Sequence, residues 1–374
     1  MSRRIVLAPD SFKGTVAAAD AAAAIARGWR SVVPDDELVE RPMADGGEGT
    51  IDAFAAAVPG AERMPLTVTG PDGRPVDTAW LRLPDGTGVV ELAATSGLTL
   101  LDPLRPLDAH TVGFGEAIAA ALDAGCGRLL LALGGSSSTD GGAGALTALG
   151  ARFLDAGGRQ VAPGNRGLGD LRTVDLAALR RPPAGGARIL GDVTNPLLGA
   201  SGAAAVFGPQ KGADATTVAV LEANLARFVE VLAGSGDGRD ARDVRALADA
   251  PGAGAAGGTG FGLLAWGARM AGGAAAVADA IDLDAALAGA DLIVTGEGRY
   301  DGQSAAGKAP TEVAARAAAA GVPVALVAGA VDADASAFAA AHSLTHLAGS
   351  SAAAMADPVR WLEAAGAALA RDAS

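Results

Sequence analysis

The sequence predicts an α/β protein of two domains, one of them a parallel sheet assembled from both ends of the chain. Three observations predict it. Short apolar runs alternate with Ala-rich helical stretches over roughly the first 60 residues. The same alternation returns near the C-terminal end. The stretch between them opens on a meander of short strands separated by Pro/Gly turns. A length of 374 residues accommodates about two domains.

Taken in order, residues 5–8 (Ile-Val-Leu-Ala) read as a buried strand that ends in Asp10-Ser11-Phe12-Lys13-Gly14. An Ala-rich helix then runs towards Trp29. A second extended stretch, 38–42, leads into Ala44-Asp45-Gly46-Gly47-Glu48-Gly49-Thr50 and a helix reaching Ala57. Residues 65–92 read as the meander, with turns at Gly70-Pro71-Asp72-Gly73 and Pro84-Asp85-Gly86. Helix 113–124, strands 129–133 and 188–190, and helices near 214–232 and 257–271 follow. The far end supplies strand 291–295, a Gly-rich loop, a helix from Thr311 and strand 324–327. A short element at 345–348 and a closing helix at 358–370 complete it. The predicted division is 1–64 with 289–374 as one discontinuous domain, and 65–288 as the inserted α/β domain.

Half of the residues are hydrophobic but only 3% are aromatic, so the core must be built from Ala, Val, Leu and Ile. The net charge of −13 and the absence of any basic run argue against a nucleic-acid partner. One cysteine, Cys126, excludes an internal disulfide framework and reads as a small packed hydrophobe. Three histidines without a cysteine partner make a His/Cys metal site improbable. Arg3-Arg4 precedes an apolar run too short for a signal peptide or membrane span, so a soluble cytoplasmic protein is expected.

Positive charge is distributed unevenly by type. Only three lysines stand against 26 arginines among the 29 basic residues: Lys13, Lys211 and Lys308. Each lies in a turn-like stretch containing glycine. A composition rich in Arg, Ala and Gly replaces Lys wherever a generic cation suffices. A retained lysine therefore points to a task for a compact ammonium, such as contact with phosphate oxygens.

Five segments have the character of a strand passing through a polar Gly-rich loop into a helix. They are the loops at Asp10, at Asp45, at Gly134-Gly135-Ser136-Ser137-Ser138-Thr139-Asp140-Gly141-Gly142, at Gly191-Asp192-Val193-Thr194-Asn195-Pro196, and at Thr295-Gly296-Glu297-Gly298-Arg299-Tyr300-Asp301. In a parallel sheet, ligands gather at such places, where helix N-termini face anions. A carboxylate in every loop, with lysine or arginine nearby, fits a phosphate and Mg²⁺ site. Phosphoryl transfer needs cations for the moving charge, carboxylates for the metal and an Asp to orient or deprotonate the attacking hydroxyl. Asp10, Asp45 and Asp192 are candidates for that Asp. Asp140, Glu297 and Asp301 are candidates for the metal. Lys13, Lys211, Lys308 and Arg299 are expected to meet charged oxygens. Ser11, Gly46, Gly47, Glu48, Gly135, Ser136 and Asn195 are expected to line the substrate and phosphates.

Two stretches come close to known motifs. Gly302 to Lys308 fits the opening of a Walker-type loop, but Ala309 lacks the hydroxyl that holds Mg²⁺. Gly252-Ala253-Gly254-Ala255-Ala256-Gly257 fits a dinucleotide pattern and would support a nicotinamide-dependent oxidoreductase. It follows a helix-like segment, not a strand, so tight helix packing explains it better.

Across essentially the whole chain these stretches resemble the bacterial type I glycerate kinases. The matching residues are Ala8-Pro9-Asp10-Ser11-Phe12-Lys13-Gly14, the Ala44 to Thr50 loop, Gly134-Gly135-Ser136, Asp140-Gly141-Gly142-Ala143-Gly144, Asp192-Val193-Thr194-Asn195-Pro196-Leu197, Phe207-Gly208-Pro209-Gln210-Lys211-Gly212, the Pro251 to Gly258 run, Thr295-Gly296-Glu297-Gly298-Arg299, Asp301, Gln303-Ser304 and Gly307-Lys308. The resemblance implies a flavodoxin/Rossmann-like domain with an inserted α/β domain and ATP- and Mg²⁺-dependent phosphorylation of D-glycerate. It implies 2-phosphoglycerate as the usual product, with 3-phosphoglycerate the alternative. A monomer or homodimer is expected. Two stretches depart from the family pattern: Ser138-Thr139 ahead of Asp140, and Ala109-His110-Thr111-Val112.

Overall fold

The structure, a computed structural model, describes residues 2–12, 14–235, 240–301 and 309–373. Thirteen strands are described. The first five are β1 (Arg4–Pro9), β2 (Glu37–Glu40), β3 (Glu62–Thr69), β4 (Pro75–Arg82) and β5 (Thr87–Glu91). Then come β6 (Arg128–Ala132), β7 (Arg152–Leu154), β8 (Thr173–Asp175), β9 (Ala187–Leu190) and β10 (Arg269–Ala271). The last three are β11 (Leu292–Tyr300), β12 (Val324–Val331) and β13 (Ala340–Ser343).

The chain divides into two units, Met1–Asp45 with Gly49–Pro59 and Gly272–Ser374, and Gly46–Glu48 with Gly60–Ala271. The sequence boundaries were drawn at 64/65 and 288/289. The units change over near 59/60 and 271/272, so the helices Gly273–Ala280 and Leu283–Leu287 fall with the chain ends.

The first unit carries one sheet in the order β13-β12-β11-β1-β2, and every pairing in it is parallel. Ile5, Val6, Leu7 and Ala8 are fully buried, as expected of a parallel strand covered on both faces. The helices Ala18–Arg30 and Pro358–Asp372 pack backbone to backbone. A Cβ on Gly28 would lie 1.9 Å from the Glu363 carbonyl oxygen, and one on Gly366 would lie 2.2 Å from that of Ile25. Small residues thus do the packing work that a chain poor in aromatics requires.

The second unit carries a six-stranded sheet, β10-β9-β6-β5-β4-β3. The β3–β4–β5 meander is antiparallel, and β5, β6, β9 and β10 run parallel. Strands β7 and β8 form a separate two-stranded sheet. The core of this unit holds an aromatic cluster: Phe228 meets Phe153 and Phe261 edge to face, at 5.5 and 5.4 Å between ring centroids. Cys126 is buried in this core, and burial pushes its thiol pKa up, as suits a packed hydrophobe.

Three elements differ from the sequence reading. The Gly-rich stretch expected as a loop after residue 295 continues β11 as far as Tyr300, paired with β12, which itself runs on to Val331. Its glycines permit this pairing, since a Cβ on Gly296 would stand 2.2 Å from the Val327 carbonyl and one on Gly329 would stand 2.3 Å from that of Gly298. Strand β13, with sequence Ala-Ala-His-Ser, has weak strand propensity and was not anticipated; the helix Leu344–Ala348 follows it directly. The helix expected at 257–271 runs Ala255–Trp266 and turns through left-handed backbone at Ala256, Gly257 and Gly258.

Candidate active site

In the first unit, β1, β11 and β12 end at a cavity of about 350 Å³. Its polar lining carries Asp10, Ser11, Asp45, Glu297, Arg299 and Asp301. Leu344, Thr345, Ser351, Ala354, Met355 and Pro358 also line it. Asp10 is placed by the strand itself: its backbone NH donates to the Gly296 carbonyl at 2.8 Å, and its Oδ1 accepts from the Ser11 NH at 2.6 Å. Asp10 and Glu297 are 5% and 6% exposed, so their carboxylates act in a poorly hydrated setting. Arg299 is exposed and pairs with Asp332 one strand away, which ties up part of the guanidinium expected to grip substrate.

The four carboxylates of this cavity are hard oxygen donors, the chemistry that Mg²⁺ takes. Among the described residues, no group of three or more His, Cys, Asp or Glu side chains forms a ready metal cage.

The second unit gathers another set of predicted residues at the ends of β6 and β9. The segment Gly46–Glu48 belongs to this unit. The Gly46 carbonyl accepts from the Gly134 NH at 3.1 Å, and Gly46 itself sits at φ +85°, where a Cβ would strike the Leu190 backbone at 2.6 Å. A Cβ on Gly134 would lie 2.4 Å from the Gly47 Cα. These glycines are required for close approach. Gly135 and Glu48 are exposed beside that crossing, and Ser136 lies buried just beyond it. Asp192 and Asn195 follow β9. Asn195 closes its own loop, donating through Nδ2 to the Ser201 carbonyl at 2.8 Å and accepting the Gly254 NH through its main-chain carbonyl at 2.9 Å.

Two predicted residues are buried and engaged in internal hydrogen bonds. Asp140, expected at the metal, is fully buried. Its carboxylate accepts from the Thr111 NH and hydroxyl at 2.9 Å each and from the NH groups of Gly142 and Gly144 at 3.0 and 3.1 Å. It clamps the turn into the helix Ala143–Ala148. Lys211, expected at phosphate, is 2% exposed; its ammonium donates to the Ser138 carbonyl and lies 3.4 Å from Ser136 Oγ. Desolvation lowers its pKa to about 7, with nearby Asp140 opposing the shift. Lys13, Lys308 and the Walker-like stretch 302–308 lie outside the described residues.

The dinucleotide-like run at 252–257 is preceded by the helix Ala241–Ala248, and no strand feeds it. Its glycines serve close packing, since a Cβ on Gly257 would lie 2.0 Å from the Ser138 carbonyl and one on Gly254 would lie 2.2 Å from that of Pro196. The sequence singles out Thr111 only as part of a departure from the family pattern; the structure shows it holding Asp140. Asn165, which no motif flags, is fully buried and donates to the Thr139 carbonyl at 2.9 Å. His110, at a departure from the family pattern, is also buried. Desolvation lowers its pKa, against the pull of Asp140, Asp72 and Glu116.

With that geometry in view, comparison with known proteins gives a consistent result. The profile of the glycerate kinase family matches residues 5–374. The chain belongs to this family. It is 43% identical over 339 residues to a glycerate kinase of Bacillus subtilis, covering 89% of this chain and 87% of that one. It is 42% identical over 316 residues to glycerate 2-kinase of Escherichia coli, covering 83% and 81%. A crystal structure of putative glycerate kinase 2 from Salmonella typhimurium superposes with a TM-score of 0.84 at 38% identity, covering 99% of this chain and 98% of that one.

As a glycerate kinase, the chain is a phosphotransferase with ATP as cosubstrate. Backbone NH groups and fixed carboxylates supply position and charge, which are what phosphoryl transfer chiefly demands of a protein. Among the described residues, no helix is long and apolar enough to cross a membrane.

Proposed function

We propose that this glycerate kinase is of the bacterial type I subtype and transfers the γ-phosphoryl group of ATP to the 2-hydroxyl of D-glycerate, giving 2-phospho-D-glycerate and ADP. The observation that carries the reading is the set of buried or half-buried carboxylates where β1 and β11 end, in a chain 42% identical to a glycerate 2-kinase. Asp192 or Asp45 addresses the acceptor hydroxyl as base or orienter. Lys13, Lys308 and Arg299 meet phosphate or carboxylate oxygens. Ser11, Gly46, Gly47, Glu48, Gly135, Ser136 and Asn195 shape the surface on which the substrates rest.

Glu297 and Asp301, with Asp10 beside them, would hold Mg²⁺, which neutralises phosphate charge when bound. The protein's own contribution is to orient the hydroxyl, keep donors fixed and exclude water, since water would otherwise compete as acceptor. We read the enzyme as cytoplasmic, acting on small molecules as a monomer or homodimer. Its net charge of −13 supports the exclusion of nucleic acid as a partner.

The decisive experiment is incubation with ATP, Mg²⁺ and D-glycerate, followed by proton-coupled phosphorus NMR. A phosphorus split by one methine proton identifies the 2-phosphate. Splitting by a methylene pair identifies the 3-phosphate and overturns the positional assignment.

A further inference from the structure

The apolar lining of the first-unit cavity has no counterpart in the chemistry of glycerate. A three-carbon hydroxy acid is polar over its whole surface and far smaller than a cavity of about 350 Å³. Leu344 and Ala354 in the wall are 2% and 5% exposed and belong to the unit's core, so this surface is fixed. Met355, on the helix Ser351–Ala356, does the opposite. It is 66% exposed, the most exposed of the described large hydrophobic side chains, and it lines the same cavity. An unbranched thioether held in water at the rim of an apolar recess suits a flat aromatic ligand, against whose face sulfur packs favourably.

Polar groups at this end are few and fixed. Thr345 Oγ1 donates to the Gly329 carbonyl at 2.8 Å and lies 3.3 Å from Ser351 Oγ. This places a hydroxyl pair at the recess edge with lone pairs still able to accept. The carboxylates Asp10, Asp45, Glu297 and Asp301 line the same cavity. The lining therefore combines apolar side chains, Leu344, Ala354, Met355 and Pro358, with ion-handling carboxylates.

We propose that this recess takes the purine base of the nucleotide, with Met355 covering one ring face, Leu344 and Ala354 beneath, and the Thr345–Ser351 hydroxyls at the ring edge. The assignment rests on the ATP-dependent reading and deepens it by naming where the nucleoside binds. Phosphates then extend towards Asp10 and Glu297.

The test is Met355→Glu, at a site exposed enough that folding is preserved, with melting temperature as the control. Calorimetric titration with ADP measures the recess without requiring turnover. The expected result is ADP affinity and KM for ATP each worsened by about tenfold or more, about 1.4 kcal/mol, with KM for D-glycerate changed by less than about twofold. Inhibition by inorganic tripolyphosphate, which has no base, is expected to be unchanged. ADP affinity within about twofold of wild type, or an effect falling on glycerate instead, overturns the proposal. Wild-type protein that binds ADP but makes no phosphoglycerate refutes the kinase reading and leaves the recess assignment to stand on the ADP titration.

Discussion

The Lys211 ammonium lies 3.4 Å from the Ser136 hydroxyl and donates to the Ser138 carbonyl, so a buried cation spends its hydrogen bonds on a single loop. Asp140 of the same loop is the acidic group that acts on it. Burial costs the charged form solvation that these neutral partners replace only in part.

A pH dependence of stability follows. Folding lowers the Lys211 pKa from 10.5 to about 7, so between those values the unfolded chain holds a proton that the folded chain lacks. Stability must therefore rise with pH across this window, by at most about 1.4 kcal/mol per pH unit from this group. Urea midpoints measured from pH 7 to 10 should show the rise in wild type and its loss in Lys211→Met. Parallel profiles for the two proteins would place the lysine's titration elsewhere.

Asp140→Ala removes an acceptor that serves Thr111, Gly142 and Gly144, leaving buried donors unsatisfied. The expected loss is about 3–5 kcal/mol in denaturant unfolding. A loss below about 1 kcal/mol would mean that the turn stands without its clamp.

Gly28→Ala drives a methyl group into the Glu363 carbonyl, 1.9 Å from the ideal Cβ position. The helices Ala18–Arg30 and Pro358–Asp372 must then separate, at a cost of about 1–3 kcal/mol. Thermal unfolding checks this directly, and an unchanged melting temperature would show that the pair can slide to absorb the change.

Lys13→Arg keeps the charge but replaces a compact ammonium with a planar fork. Turnover is expected to fall at least about tenfold, a barrier change near 1.4 kcal/mol. Wild-type kinetics in this variant would reduce lysine retention at this position to chance.

Asp192→Asn is expected to lower kcat more than it raises KM for glycerate, because a group that orients or deprotonates the hydroxyl acts mainly in the transition state. An unchanged kcat removes Asp192 from that role and leaves Asp45 as the candidate.

The parts of this molecule legible in its sequence were those that obey local rules. Apolar strands such as Ile5 to Ala8 and the Pro/Gly turns of the meander announce themselves, and so do loops that combine glycine with a carboxylate. What stayed hidden depended on distant partners. Gly296-Glu297-Gly298 reads as a loop until Val327 and Gly329 arrive beside it to make a strand. Lys211 reads as a surface turn residue because its burial is set by Ser136 and Ser138, more than seventy positions earlier. Asp140 has the same spelling whether it meets a cation or, as here, a ring of backbone amides. Burial is a tertiary property, and neither residue's neighbours encode it.

The parallel pairing of Ile5 with Leu292 has a consequence for biosynthesis. A ribosome releases β1 soon before one neighbour, β2, but long before the other, β11, and every residue of Gly60–Ala271 emerges in between. The edge of β1 that faces β11 must stay unpaired until residues 292–300 have been made. Truncation shortly before residue 292 should accordingly yield an aggregation-prone product.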